Sequence, residues 1–220
     1  MPTMAVTRSR EAIIAELERI GARAQGKWHA ARFPPRMRHL PPFDEVIPDA
    51  LAALLADLAG DSLRLAEPRP QPLLTAPHGP SWSVPHLGWN LDVASPSRDV
   101  MPGIQVFVLL GDLAPKAGAT LAIAGSHRLH RPSGGKPLSA HQVLKADPAY
   151  RELFSPGGDR QRFLDVHTVD GVAVQVVEMC GEAGDAYLMD MRTIHAPASN
   201  PSRNPRMMLT SRYLVGRERR

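Results

Sequence analysis

From residue 103 onward the chain is a series of short apolar, β-branched runs, each closed by a turn, and this pattern restricts the fold more than any other feature. Ile104-Gln105-Val106-Phe107-Val108-Leu109-Leu110 lies between Gly103 and Gly111. Residues 120–123 follow the turn Pro115-Lys116-Ala117-Gly118, and residues 172–177 run toward Gly181-Glu182-Ala183-Gly184. Residues 186–189 and 207–213 complete the set. Runs of this length bounded by turn residues read as strands.

The N-terminal part is different. Ile13, Ile14, Leu17 and Ile20 recur at helical spacing, which predicts an amphipathic helix over residues 8–25 with Gly26 beyond it. Pro48 at a first helical position and Gly60 at the end bracket a second helix over residues 50–58. Prolines between residues 66 and 85 predict extended chain over a surface, and residues 139–153 read as a helix inside a long insertion. Helices first and glycine-punctuated strands afterwards predict a mainly β fold with flanking helices, a sandwich or barrel. A chain of 220 residues suits one domain: helices and loops over 1–65, a barrel over 80–213, and an insertion over about 128–170.

Composition narrows the function. Cys180 is the one cysteine, so no intramolecular disulfide forms and a reducing, cytoplasmic setting is expected. No apolar run has the length of a membrane span, and charges at Arg8, Arg10, Glu11 and Glu16 argue against a signal peptide. The net charge of +4 is partly terminal, in Arg217, Arg219 and Arg220. Aromatic residues make up only 5% of the chain, too few for base-stacking platforms, so nucleic acid is not the expected partner. An anionic small molecule suits the basic balance better. There is no Gly-x-Ser-x-Gly elbow, no phosphate-cradling Gly-x-x-x-x-Gly-Lys loop and no CxxC or HExxH zinc pattern.

Trp89-Asn90-Leu91-Asp92, Gly118-Ala119-Thr120, Gly125-Ser126-His127, Gly184-Asp185, and His195 with Arg206 resemble, in order and spacing, the phytanoyl-CoA dioxygenase family of Fe(II)/2-oxoglutarate oxygenases. The resemblance covers residues 80–213 and implies a double-stranded β-helix, a jelly-roll or cupin-like barrel. It further implies a dioxygenase that oxidises, by default hydroxylates, a small molecule while 2-oxoglutarate becomes succinate and CO2.

Such a site holds Fe(II) with two imidazoles and a carboxylate on one face. A His-x-Asp pair supplies two of these because residues two apart on a strand point to one side. By resemblance Asp92 and His195 are metal ligands, and Arg206 is the bidentate partner of the 2-oxoglutarate carboxylate. Gln105 and Thr120 stand on strands that line the co-substrate pocket in the family. Each has an ordinary reading too: a strand-end histidine, a turn aspartate, a solvated arginine, structural polar groups.

The departure is Asn90, which occupies the first histidine's place in His-x-Asp. A neutral amide oxygen is a weak Fe(II) ligand. His86 lies six residues before Asp92, about 20 Å away in extended chain, so only a sharp bend at Gly88 would bring it in. Three readings stay open: iron held by Asp92, His195, Asn90 or water; a disabled oxygenase-like or cupin-like ligand-binding protein; or an engineered His→Asn change. Ser126 and His127 are expected to brace the site, and Trp89 to wall the pocket or pack in the core. His130, His141 and His167 are expected to be exposed, and Cys180 to pack as a small apolar group. The insertion is expected to form a lid, where Arg128, Lys136, Arg151, Arg160 and Arg162 would suit an anionic substrate.

Overall fold

A computed structural model describes residues 1–24, 27–28, 35–93, 100–129 and 138–216. Its helices are α1 (Thr3–Arg19), α2 (Asp49–Ala59) and α3 (Ala140–Ala146). Its strands are β1 (Arg23–Ala24), β2 (Lys27–Trp28), β3 (Leu63–Leu65), β4 (Gln71–Thr75), β5 (Gly103–Leu109), β6 (Thr120–Ala124), β7 (His167–Val169), β8 (Val172–Glu178), β9 (Ala186–Asp190), β10 (His195–Pro197) and β11 (Arg206–Val215). β1 and β2 form a small hairpin.

The other strands make two antiparallel sheets. The larger has the order β3-β11-β5-β9, with β4 beside β3 on the same edge of β11; the smaller has the order β10-β6-β8-β7. This is the expected jelly-roll with flanking helices. Period-two alternation sorts its side chains. Ile104, Val106, Val108, Leu110, Met207, Leu209 and Tyr213 pack outward against Val6, Ile13 and Leu17 of α1 and Leu55 of α2. Phe107, Leu109, Met189 and Met208 face inward and meet Ala122 of β6. Leu121 and Ile123, the alternate residues of β6, pack away from that interior against Val143 and Leu144 of α3 and Tyr150, Leu153 and Phe163.

Several boundaries differ from the sequence expectation, each for a local reason. α1 starts at Thr3 and ends before Gly21, whose φ of 71° breaks the helix five residues ahead of Gly26. Pro48 caps α2 from outside the helix, and Gly60 ends it in the left-handed conformation. The stretch 66–85 is not only surface chain: Gln71–Thr75 pairs with Arg206–Thr210. Residues 139–153 split into α3 and a 3-10 turn at Tyr150–Phe154 because Pro148 forces Asp147 into extended backbone.

The described part of the insertion packs as core through Tyr150, Leu153 and Phe163. His167 is half-buried against Tyr150 and Phe163, and the Nε2 of His141 lies 3.2 Å from the Trp89 carbonyl. Neither is the exposed histidine expected from sequence. His130 and Lys136 lie outside the described residues.

Candidate active site

A cavity of about 580 Å³ opens between the sheets, and Asn90, Asp92, Gln105, Thr120, His195 and Arg206 all line it. The folding logic is one of register. Asn90 sits directly opposite His195 in an antiparallel bridge, and residues directly opposed across such a pair project from the same face. Asp92, two residues on, completes the same corner of the cavity. On its other edge β10 pairs with β6, setting His195 opposite Ala122 and Pro197 opposite Thr120.

The histidine is held in one tautomer. His195 Nδ1 lies 3.2 Å from the Thr193 carbonyl, which only accepts, so Nδ1 carries the proton and Nε2 offers its lone pair. Nε2 lies 3.6 Å from Asp92 Oδ2. Two acceptors facing each other repel unless a proton or a metal cation lies between them, and an imidazole oriented by a backbone carbonyl is the usual dress of a metal ligand. The donor set thus fits a divalent cation at two positions. Asn90 lines the same corner, and its amide Nδ2 donates to the carbonyl of Gly88, two residues back, at 3.4 Å. Among the described residues no group of three or more His, Cys, Asp or Glu side chains converges for a metal.

Arg206 begins β11 opposite Thr75 of β4 and is 6% exposed. It donates to Thr75 Oγ1 and to Met208 Sδ, while its Nε has no hydrogen-bond partner. Among the described residues it forms no ion pair, and burial alone pushes its pKa down to about 10. A buried guanidinium without a counter-ion is costly to maintain and favours an anionic ligand. Gln105 donates to Thr210 Oγ1 at 3.1 Å, and its Oε1 is buried and unpartnered. Thr120 Oγ1 reaches Met208 Sδ at 3.8 Å.

A sequence model of the phytanoyl-CoA dioxygenase family matches residues 7–208. The chain belongs to this family. The match takes in the N-terminal helices, further than the motifs alone carried the resemblance. Phytanoyl-CoA dioxygenase family members are Fe(II)/2-oxoglutarate-dependent enzymes. Solved structures share the fold. AviO1 from Streptomyces viridochromogenes Tue57 is similar at TM-score 0.60 and 18% identity, over 100% of this chain and 88% of that one. The epimerase SnoN, in complex with Fe3+, alpha ketoglutarate and nogalamycin RO, is similar at TM-score 0.53 and 20% identity over 98% and 76%. HygX from Streptomyces hygroscopicus, with nickel and 2-oxoglutarate bound, gives TM-score 0.54 and 16% identity over 95% and 79%. A search of curated proteins gave no match.

The other sequence candidates are sorted by contact. Ser126 is fully buried and accepts the Ile194 backbone N–H at 2.9 Å, bracing the residue before His195. His127 lies outside the cavity, in a small depression with Arg128 and Arg192, and burial lowers its pKa. His86 does not line the cavity, and Trp89 packs in the core with its indole N–H on the Pro85 carbonyl. Arg160 is tied to the carbonyls of Val84, Ser155 and Gly157, and Arg162 to Glu152 and the Ala149 carbonyl. No described residue of 128–170 lines the cavity. Sequence reading missed Thr75, Thr210, Arg212, Glu67 and Arg38, all of which do. Thr210 and Arg212 were within reach, because every second residue after Arg206 shares its face. Thr75, Glu67 and Arg38 carried no local signal.

Proposed function

We propose that this chain is an Fe(II)/2-oxoglutarate dioxygenase that hydroxylates a small molecule, with Asp92 and His195 as metal ligands and Asn90 in the third protein position. What carries the reading is Arg206: a buried guanidinium with no ion pair among the described residues, in the same cavity as the facing Asp92 and His195 acceptors. Arg206 would hold the distal carboxylate of 2-oxoglutarate, with Thr75 keeping the guanidinium in its plane and the free Gln105 Oε1 and Thr120 hydroxyl beside the co-substrate. Thr193 keeps His195 in the ligand tautomer. When bound, the metal and the keto acid would let dioxygen act as the oxidant, one oxygen atom going to succinate as CO2 leaves and the other to the substrate hydroxyl, in a cavity that Phe107 and Leu73 help to line. A reducing cytoplasm suits the free thiol of Cys180.

Asn90 supports a second reading, a jelly-roll that binds the keto acid without turning it over. The two separate in one assay: succinate formed from 2-oxoglutarate with Fe(II), ascorbate and air, for the chain and Asn90→His together. Succinate from both supports the dioxygenase, with the histidine variant faster. Succinate from Asn90→His alone assigns a scaffold silenced at one ligand. If neither forms succinate and neither binds 2-oxoglutarate in calorimetry, both readings fall.

A further inference from the structure

The cavity has a second cationic pole that the co-substrate does not use. His195 meets Phe107 edge-on with ring centroids 6.2 Å apart, and Phe107 pairs with Thr210 on β11. The metal corner therefore stands near the level of Thr210. Along β11 that level is four residues, about 13 Å, beyond Arg206 and two residues, about 7 Å, short of Arg212. Arg206 and Arg212 flank the metal corner from opposite sides.

Arg212 is half-buried, lines the cavity and is paired with Glu67. Hydrogen bonding to Glu67 raises its pKa, with the charge of Asp92 adding to the effect. The Glu67 segment is fixed to β11 through the Ala66 N–H, which donates to the Arg212 carbonyl at 2.8 Å. Arg38, also lining the cavity, is exposed and has no ion-pair partner among the described residues. Arg38, Arg212 and Glu67 thus line the same cavity as the buried Arg206, with Arg38 exposed and Arg212 six residues from Arg206 along β11.

We propose that Arg38 and Arg212 form an oxyanion subsite for the oxidised substrate, which carries a carboxylate or phosphate group, with Glu67 as the resident counter-ion that the substrate displaces. The assignment rests on the dioxygenase reading for the word substrate, and on the geometry of the rim for the subsite itself. Planar guanidinium groups hold either oxyanion through paired N–H donors. A diacid gripped by Arg206 lies on the far side of the metal corner, so the rim is available to a second molecule. The substrate's anionic end would then sit at the rim and its reacting carbon beside Asp92 and His195.

The test is calorimetric titration of inorganic phosphate and of propionate into the full chain, with 2-oxoglutarate at a concentration that just saturates Arg206 and no metal. At least one probe is expected to bind in the millimolar range. The tighter of the two tells whether the substrate is a phosphate ester or a carboxylate. Binding should weaken at least tenfold in the Arg38→Gln/Arg212→Gln double variant. It should strengthen severalfold in Glu67→Gln, a gain that misfolding cannot imitate, and stay unchanged in Arg206→Gln. No binding of either probe to the parent chain, or weakening only in Arg206→Gln, would overturn the subsite. Failure of the dioxygenase reading would appear separately, as absent 2-oxoglutarate binding with the rim titration intact.

Discussion

Asn90 and His195 exchange both of their backbone hydrogen bonds, Asn90 N–H to the His195 carbonyl at 2.9 Å and His195 N–H to the Asn90 carbonyl at 3.1 Å. That pairing puts the two side chains on one face of the bridge, and both line the cavity. Asn90→His needs no backbone change at an exposed position. Loss of partners one shell out from a metal costs about 10–100-fold in affinity, so restoring a direct ligand should tighten Ni(II) or Fe(II) binding by roughly tenfold or more. Metal titration followed by ligand-field absorbance checks this. Equal affinities would remove Asn90 from the site.

Arg206→Met should separate function from stability. It removes a buried charge that has no ionic partner among the described residues, so the folded state should gain about 1–3 kcal/mol, read as a higher Tm, while 2-oxoglutarate binding is lost. The sign with pH follows from the depressed pKa. The folded chain holds this proton less tightly than the unfolded one, so the penalty is complete below about pH 10 and fades as the pH rises above it. The Tm gain should therefore be flat from about pH 6 to 9. A lower Tm in Arg206→Met would show that the guanidinium is compensated.

Ser126→Ala leaves the Ile194 N–H without its acceptor in a fully buried position. An orphaned buried donor costs about 1–3 kcal/mol. Because Ile194 precedes His195, metal affinity should fall along with denaturation midpoint. A Ser126→Ala chain of unchanged midpoint would mean that the bond contributes nothing.

Gly125 and Gly60 have similar backbone angles, φ of 83° and 64°, and very different surroundings. A Cβ on Gly125 would lie 2.1 Å from the Ala173 carbonyl oxygen, whereas one on Gly60 meets nothing within 4 Å. Gly60→Ala should cost about 1 kcal/mol from the left-handed conformation alone. Gly125→Ala should cost several times as much or leave the chain insoluble, measured by urea denaturation.

Burial, reinforced by Glu178, raises the Cys180 thiol to about 11. A raised pKa keeps the group protonated at neutral pH, so alkylation by iodoacetamide should be slow at pH 7. Its rate should climb about tenfold per pH unit up to about pH 11, where an unperturbed thiol would level off near 9. An earlier plateau would contradict the half-buried, Glu178-facing position.

Much of the site was legible because strands write their geometry in steps of two. Asn90 and Asp92 share a face from their spacing, and the apolar alternation of residues 104–110 and 207–213 shows which residues meet helices and which the interior. Gly60 marked a helix end because the left-handed cap is a local requirement. Gly21 did the same work unrecognised, since Gly26 was an equally good stop on paper. The 71–75 strand was hidden because its proline masks strand propensity, and Pro72 is tolerated only beside an edge that the sequence does not reveal.

The sequence by itself determined the mainly β class, the family, and the chemical types at the candidate site, because alternation, turn glycines and motif order are local properties of the chain. The tertiary structure decided which of those residues meet. That His195 faces Asp92, 103 residues back, and that Arg206 is buried beside Thr75, 131 residues back and with no counter-ion among the described residues, follow from strand pairing, while Arg212 on β11 and Arg38 on a 3-10 turn line one cavity. Register is fixed by how two sheets bury their common interior, and no stretch of sequence carries that information alone.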